Sequence, residues 1–132
     1  MTTPNSDLTW LLDDLAARVP GIEAVVMLRR DGVVVAASGG LARAETERLA
    51  AIAASFRSLA NDATGYFEDG RVVRVLLDLA GKHLLITPAG ELGALAAVAS
   101  DQAEMGVVGY EMSALSRRLC EHLLGPRPAL LP

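Results

Sequence analysis

The sequence predicts an α/β fold of the α+β type, in which a five-stranded antiparallel sheet is covered by helices on both faces. Apolar, strand-like runs follow one another across short turns, as in antiparallel hairpins and meanders. Three longer segments repeat apolar residues at helical spacing. The 132 residues are 52% hydrophobic and 21% charged. A chain of this length and composition buries a core without disulfides or metals.

The first half of the chain predicts a helix, a hairpin and a second helix. Helix one begins near Ser6 or Asp7, and "VPG" at 19–21 ends it. Its apolar stripe consists of Leu8, Leu11, Leu12, Leu15 and Val19. Strands over about 22–30 and 33–38 flank Asp31-Gly32, which favours a two-residue type I′ turn. Helix two is predicted over about 42–61, and a loop over 61–70.

The second half predicts three strands and a closing helix. The strands are "RVVRVLLDLA", "KHLLIT" and "ELGALAAVAS", with Pro88 in the turn "TPAG" between the last two. Strand five is small and apolar on both sides, which favours a central position, although the high alanine content of the chain also explains it. Helix three spans about 105–124, so the order is α-β-β-α-β-β-β-α. We expect one domain over 7–124, with flexible tails at 1–6 and 125–132.

Charge and composition exclude several classes of protein. The net charge is −4 without a basic cluster, which argues against sequence-independent nucleic-acid binding. The single cysteine, Cys120, cannot form an internal disulfide and fits a reducing compartment. The first residues lack the pattern of a signal peptide, and no apolar run reaches the ~18 residues of a membrane span. We therefore expect a cytoplasmic protein that does not insert into membranes.

Groups that could perform chemistry are sparse, so the sequence predicts no enzyme, cofactor site or metal site. Cys120 and His122 are two apart on a helix and point to nearly opposite sides, so they cannot form a dyad. His83 lies in an alternating strand, where a surface position is expected. No cysteine and histidine spacing resembles a zinc site. The segment "GVVG" at 106–109 lacks the Lys-Ser/Thr pair of a P-loop.

Helix two has two faces of different character. The residues predicted to pack inward are Leu49, Ile52, Ala53, Phe56, Leu59 and Ala60. The opposite face carries Ala44, Glu47, Ala51, Ala54, Ser58 and Asn61. Small side chains permit close approach of another helix, which makes this face a candidate interface. The alternative is that alanine is simply abundant, because it is the best helix former.

The segments "VVMLRRDGVVVAAS", "ETERLAAIAASFRSLAND" and "HLLITPAGELGALAAV", with the closing helix, resemble the Roadblock/dynein light chain family over about 7–124. The resemblance implies a profilin/longin-like fold, with helix two on one face and helices one and three on the other. It also implies a non-enzymatic scaffold or regulator of a Ras-like small GTPase. Bacterial members often accompany such a GTPase, in some cases with a sensor-kinase-like protein.

The resemblance further implies a homodimer in which strand three pairs with its twin and the two copies of helix two lie side by side. The helix residues expected at that interface are those of the small-residue face: Ala44, Glu47, Ala51, Ala54, Ser58 and Asn61. The strand residues are Val73, Arg74, Val75, Leu76, Leu77 and Asp78. An edge this apolar would invite aggregation if nothing covered it. If a two-fold axis passes near Leu76, Arg74 faces Asp78 of the second copy.

Four further residues are candidate contacts with a partner protein: Trp10, Arg43, Arg48 and Arg57. Trp10 is predicted on the outer face of helix one, where it could anchor a partner or pack against a terminal tail. The arginines are the nearest candidates for an arginine finger. We nevertheless expect any stimulation of GTP hydrolysis to come from ordering the GTPase's own residues.

Two other functional classes are compatible with the pattern. A ligand-sensing domain of the PAS or GAF kind shares a sheet covered by helices, but it needs a pocket with convergent polar groups. The small, apolar strand five leaves little room for such a pocket. A small enzyme using scattered carboxylates is the other alternative, and the sequence suggests no substrate for it.

Overall fold

The computed structural model describes residues 6–68 and 70–124. Its elements follow the predicted order: α1 (Ser6–Arg18), β1 (Ile22–Leu28), β2 (Val34–Ala37), α2 (Arg43–Phe67), β3 (Val75–Leu79), β4 (Lys82–Pro88), β5 (Ala94–Ser100) and α3 (Met105–Leu124). A short 3₁₀ turn, Gly90–Leu92, joins β4 to β5. The tails predicted over 1–6 and 125–132 lie outside the described residues, except for Ser6, which begins α1.

The five strands form one antiparallel sheet, as predicted, and their order in it is β2-β1-β5-β4-β3. β5 lies in the centre, and its small side chains are almost completely buried on both faces. β2 and β3 are the two edges. β3, the strand that the sequence predicts as a pairing edge, therefore lies at one edge of the sheet.

Helices cover both faces of the sheet, in the arrangement that the family resemblance implies. The helices α1 and α3 enclose a core of large side chains, among them Leu12, Leu15, Met27, Met112 and Leu119. On the other face α2 encloses a smaller core, formed by Val26, Leu28, Ala50, Ala53, Leu84, Ile86, Ala94 and Ala96. Alternate residues of β1 enter the two cores because successive side chains of a strand point to opposite faces.

The hairpin between β1 and β2 has a three-residue loop, so the predicted type I′ turn is wrong. Gly32 has a φ of 89°, but Asp31 does not adopt a positive φ. The N–H of Arg29 donates to the Val33 carbonyl, and Asp31 Oδ1 accepts from the Val33 N–H at 3.1 Å. This side-chain bond stabilises Asp31 without the left-handed conformation. A left-handed glycine closing a three-residue loop is the next most common hairpin solution.

Helix α2 continues to Phe67, through most of the segment predicted as a loop. Asparagine and aspartate are frequent in turns, but Asn61 and Asp62 lie inside the helix. Thr64 Oγ1 donates to the Asn61 carbonyl there. The helical preference of the neighbouring alanines outweighs the cost of one glycine, Gly65, which is about 1 kcal/mol. The helix ends at Glu68, which has a φ of 72°.

Strand β3 is shorter than predicted, because only Val75–Leu79 pair with β4. Continued in that register, Arg74 would lie opposite Thr87 and Val73 opposite Pro88, which has no N–H to donate. Residues 71–74 therefore have no neighbouring strand within the described part of the chain. Pro88 itself pairs with Ala94, so β4 extends one residue beyond its predicted end and the turn begins at Ala89.

The turn between β4 and β5 returns to the sheet at Gly93, beside the last residues of β1. Gly93 has a φ of 128°, and a Cβ built there would overlap the backbone of Leu28 and Arg29. Gly81, in the turn before β4, has a φ of 91° but nothing within 4 Å of such a Cβ. The two glycines share the unusual backbone conformation and differ in the space around it.

We predict that Gly93→Ala lowers the free energy of unfolding by at least about 2 kcal/mol, because strain and backbone overlap add together. Gly81→Ala is the matched control, and its strain alone costs about 1 kcal/mol. Urea denaturation of both variants measures the difference. Equal losses would mean that the close approach of Gly93 to β1 does not constrain the fold.

Candidate dimer and partner interface

Large apolar side chains are exposed along one side of α2 and along the neighbouring β3 edge. The exposed members on α2 are Ile52, Leu59, Tyr66 and Phe67, and those beside them on the strand segment are Val73 and Leu79. We call these six residues the α2–β3 surface. Ile52, Leu59 and Tyr66 recur every seven residues, which places them in one stripe. A groove of about 370 Å³ separates the C-terminal half of α2 from residues 70–74.

Two helix residues predicted to face the core are therefore exposed. Ile52 is 38% exposed and Leu59 is 65% exposed, whereas Ala50 and Ala53 are fully buried. The reason is that alanines, rather than the larger side chains, contact the sheet and set the rotation of α2. The other residues predicted inward, Leu49, Phe56 and Ala60, are half-buried at the margin of the helix.

The small-residue face of α2 is exposed as predicted, with one exception. The exposed members are Ala44, Glu47, Ala51, Ser58 and Asn61. Ala54 is half-buried because it packs toward the β1–β2 hairpin, where its Cβ would lie 3.3 Å from a Cβ on Gly32. At ~100° per residue this face lies about 100° around the helix from Ile52 and Leu59. The helix thus presents two different outer surfaces.

The predicted strand residues divide between the two faces of the sheet. Val75 and Leu77 are half-buried and pack against the core under α2. Arg74, Leu76 and Asp78 alternate with them and face the side of α3. Arg74 Nε lies 3.9 Å from the position of a Cβ on Gly109 in α3. Asp78 Oδ1 lies 2.5 Å from Nδ1 of His83 on β4.

The candidate partner contacts lie on separate surfaces. Trp10 is exposed on the outer face of α1, and both terminal tails lie outside the described residues. Arg43 forms an ion pair with Glu47 at 3.3 Å, and Arg48 is exposed. Arg57 is half-buried on the hairpin side, about 21 Å along the helix from Arg43 at 1.5 Å per residue. The three arginines therefore do not form one cluster.

A second groove, of about 200 Å³, lies between α2 and the β1–β2 hairpin. Its lining comprises Leu28, Arg29, Arg30, Ala54, Arg57, Ser58, Asn61 and Asp62. Burial lowers the pKa of Arg57 from its ordinary value, and the positive charge of Arg30 lowers that pKa further. No local spacing in the sequence connects "RR" of the hairpin with Arg57, because Arg30 and Arg57 lie 27 positions apart.

Groups suited to catalysis do not converge in the described residues. No three His, Cys, Asp or Glu side chains there come close enough to hold a metal ion. Cys120 donates to the Ala89 carbonyl at 3.4 Å, and His83 contacts Asp78. None of the described helices combines the length and apolar character needed to traverse a bilayer. The prominent features of the described residues are the exposed apolar side chains of the α2–β3 surface and the arginines beside the hairpin.

Comparisons with known proteins agree with this fold. The family model of the Roadblock/LC7 domain matches residues 8–100. A Roadblock/LC7 domain from Streptomyces avermitilis is 32% identical over 88% of this chain and 97% of its own, with a TM-score of 0.83. A search of curated proteins found no match.

Two more distant structures share the architecture. MglB from Myxococcus xanthus is 14% identical over 94% of this chain and all of its own, with a TM-score of 0.82. LokiProfilin1, solved in complex with rabbit actin, is 13% identical over 92% of this chain and all of its own, with a TM-score of 0.55. The profilin-like architecture implied by the sequence is thereby confirmed, and the match over residues 8–100 shows that this chain belongs to the Roadblock/LC7 family.

Proposed function

We propose that this chain is a non-enzymatic, cytoplasmic regulator that pairs with a second copy of itself and binds a Ras-like small GTPase in bacterial signalling. Membership of the Roadblock/LC7 family and likeness to MglB fit a regulatory role. The observation that carries the proposal is the α2–β3 surface, which exposes large apolar side chains next to an open sheet edge. A sensor-kinase-like protein is a further candidate partner.

The β3 edge supports pairing with a second copy. β4 borders it on one side, and no described strand borders it on the other. Its free N–H and C=O groups, flanked by apolar side chains, are a template for another strand. Soluble monomers rarely leave contiguous apolar surface of this kind uncovered. A second copy related by a two-fold axis presents the same edge and the same side chains in return.

The segment before β3 supports the same arrangement. Residues 71–74 include two β-branched valines, Val72 and Val73, which favour a strand, but they have no strand neighbour among the described residues. In an antiparallel pair centred near Leu76, Val73 would lie opposite Leu79 of the second copy. A strand of the second copy would thus lie beside this segment, whose pairing with β4 ends before Pro88.

Charge complementarity favours that register. Arg74 and Asp78 lie on the same face of the strand, four residues apart, and the axis near Leu76 places each opposite the other residue of the twin. Each such pair contributes only about 0.2–1 kcal/mol, so the charges select the register while apolar burial drives association. A dimer in which Arg74 lies away from Asp78 of the second copy would contradict this register.

The same dimer leaves a surface for the GTPase. If Ile52 and Leu59 contact the second copy, the small face of α2, which the sequence predicts at the dimer contact, would instead remain accessible at Ala44 and Ala51 on the outside of the helix pair. Small side chains there permit close approach of a partner's helix or switch segment. We place the GTPase on this face. Trp10 lies on a separate surface, at the other side of the sheet.

No observation favours the sensing-domain alternative over this proposal. The two grooves described above lie at the molecular surface and open to solvent. A sensing domain instead encloses most of its ligand among a few convergent polar groups. The interior beside β5 is filled by small buried side chains, including Ala94, Ala96 and Ala97.

We predict that Leu59→Glu weakens self-association by at least about 100-fold, because a charge enters the apolar contact twice in a symmetric dimer. Sedimentation velocity across a concentration series measures the effect. Val33→Glu is the matched control, since Val33 is 52% exposed but lies by the opposite edge of the sheet. A wild-type chain that remains monomeric at micromolar concentration would remove the dimer from the proposal.

The GTPase half of the proposal is tested with a purified bacterial Ras-like GTPase. We expect it to bind the wild-type dimer with different affinities in its GDP and GTP forms, and we expect the chain alone to hydrolyse no GTP. If the GTPase supplies its own catalytic residues, the triple variant Arg43→Ala, Arg48→Ala and Arg57→Ala retains any stimulation per complex formed. Binding in neither nucleotide state, or GTP hydrolysis by the chain alone, would contradict the proposal.

A further inference from the structure

The groove between the β1–β2 hairpin and α2 has the features of a binding site for a carboxylate. We infer that this hairpin groove binds an acidic side chain from an extended segment of a partner protein. The groove lies on the opposite side of α2 from the α2–β3 surface, since its helix lining is Ala54, Arg57, Ser58, Asn61 and Asp62. The inference does not require the dimer, and the groove shares Ala54, Ser58 and Asn61 with the small-residue face on which we place the GTPase.

Three guanidinium groups and one carboxylate line the hairpin groove, which gives it a net positive charge in a chain of net charge −4. Arg29 is already satisfied, because its Nη2 lies 2.8 Å from Asp31 Oδ2. Arg30 is only loosely paired, with Nη1 3.9 Å from Glu91 Oε1 and both side chains largely exposed. Two of the three positive charges are therefore weakly compensated or uncompensated.

Arg57 is the residue that most strongly indicates an anion-binding site in this groove. It is half-buried, and no carboxylate of the described residues lies within 4 Å of its guanidinium, although Asp62 lines the same groove. Burial and the positive charge of Arg30 both disfavour the protonated form of Arg57, and both therefore lower its pKa. A guanidinium remains protonated even so. An anion between Arg30 and Arg57 would relieve both costs.

The rest of the lining favours a carboxylate over a phosphate. Asp62 adds a negative charge to the groove wall, which repels a dianion more strongly than a monoanion. A guanidinium fork matches the two oxygens of a carboxylate. The Ser58 hydroxyl and the Asn61 amide, which also line the groove, can donate hydrogen bonds to the same oxygens.

The openness of the groove favours a carboxylate that belongs to a protein. A charge-assisted hydrogen bond contributes about 1.5–3 kcal/mol, so a free carboxylate here would bind only at millimolar or higher concentration. An extended segment would add contacts beside the groove. Val33, which is exposed at the hairpin, offers an apolar contact for a residue next to the acidic one.

The test is an NMR titration of the wild-type chain with the acetylated, amidated peptide (Glu-Gly)₃, with (Gln-Gly)₃ as the neutral peptide and inorganic phosphate at equal ionic strength as the competing anion. We expect (Glu-Gly)₃ to shift the Arg57 Nε–H and the amides of Gly32, Ser58 and Asn61. We expect the neutral peptide and phosphate to leave them unchanged. Equal shifts with phosphate would overturn the carboxylate assignment, and absence of shifts with (Glu-Gly)₃ would overturn the site.

Variants separate the site from a general charge effect. Arg57→Gln is expected to weaken (Glu-Gly)₃ binding at least tenfold, and Arg48→Gln, which removes an exposed arginine elsewhere on α2, by less than twofold. Arg30→Gln alters only an exposed side chain, so it gives the same test if Arg57→Gln does not fold. Equal losses in the Arg48 variant would overturn the inference. Sedimentation of the variants shows separately whether the dimer is intact.

Discussion

The close packing of α2 on the centre of the sheet is the constraint on which the outer surfaces depend. Ala50 and Ala53 of the helix meet Ala94 and Ala96 of β5 with no exposed area on any of the four. Small side chains on both sides bring the helix backbone near the strands, and this contact determines which residues of α2 point outward. A larger residue at any of these positions would have to displace the helix, because packed interiors hold few voids.

This constraint gives the two sides of α2 different chemistry. Toward β3 the helix exposes Ile52 and Leu59 beside an unpaired strand edge, a combination suited to association with a second copy. Toward the hairpin it presents Arg57 across a groove from Arg30, a combination suited to an acidic ligand. Gly93 and the three-residue hairpin loop hold the opposite wall of that groove. One helix thus serves an apolar interface and a polar one without sharing residues between them.

Most of the fold was predictable, because hydrophobic periodicity and turn residues act locally. The element order and the antiparallel sheet follow from such patterns, whereas the distribution of the helices over the two faces follows from the family resemblance. The errors arose where tertiary packing decides. The inward prediction for Ile52 and Leu59 ranked side chains by size, whereas alanine contacts set the rotation of α2. The length of β3 depends on Pro88 in the neighbouring strand β4. The hairpin groove is formed by residues that lie far apart in sequence.

The most direct test of the central claim, that a second copy completes the sheet at β3, is amide hydrogen exchange resolved by residue. With the axis near Leu76, the outward-pointing amides of residues 73–79 are protected in the wild-type dimer and exchange rapidly in the monomeric Leu59→Glu variant, while Arg71 exchanges rapidly in both. Amides of β4, which bond within the chain, serve as the internal reference. Rapid exchange of residues 73–79 in a sample shown to be dimeric would contradict pairing through this edge.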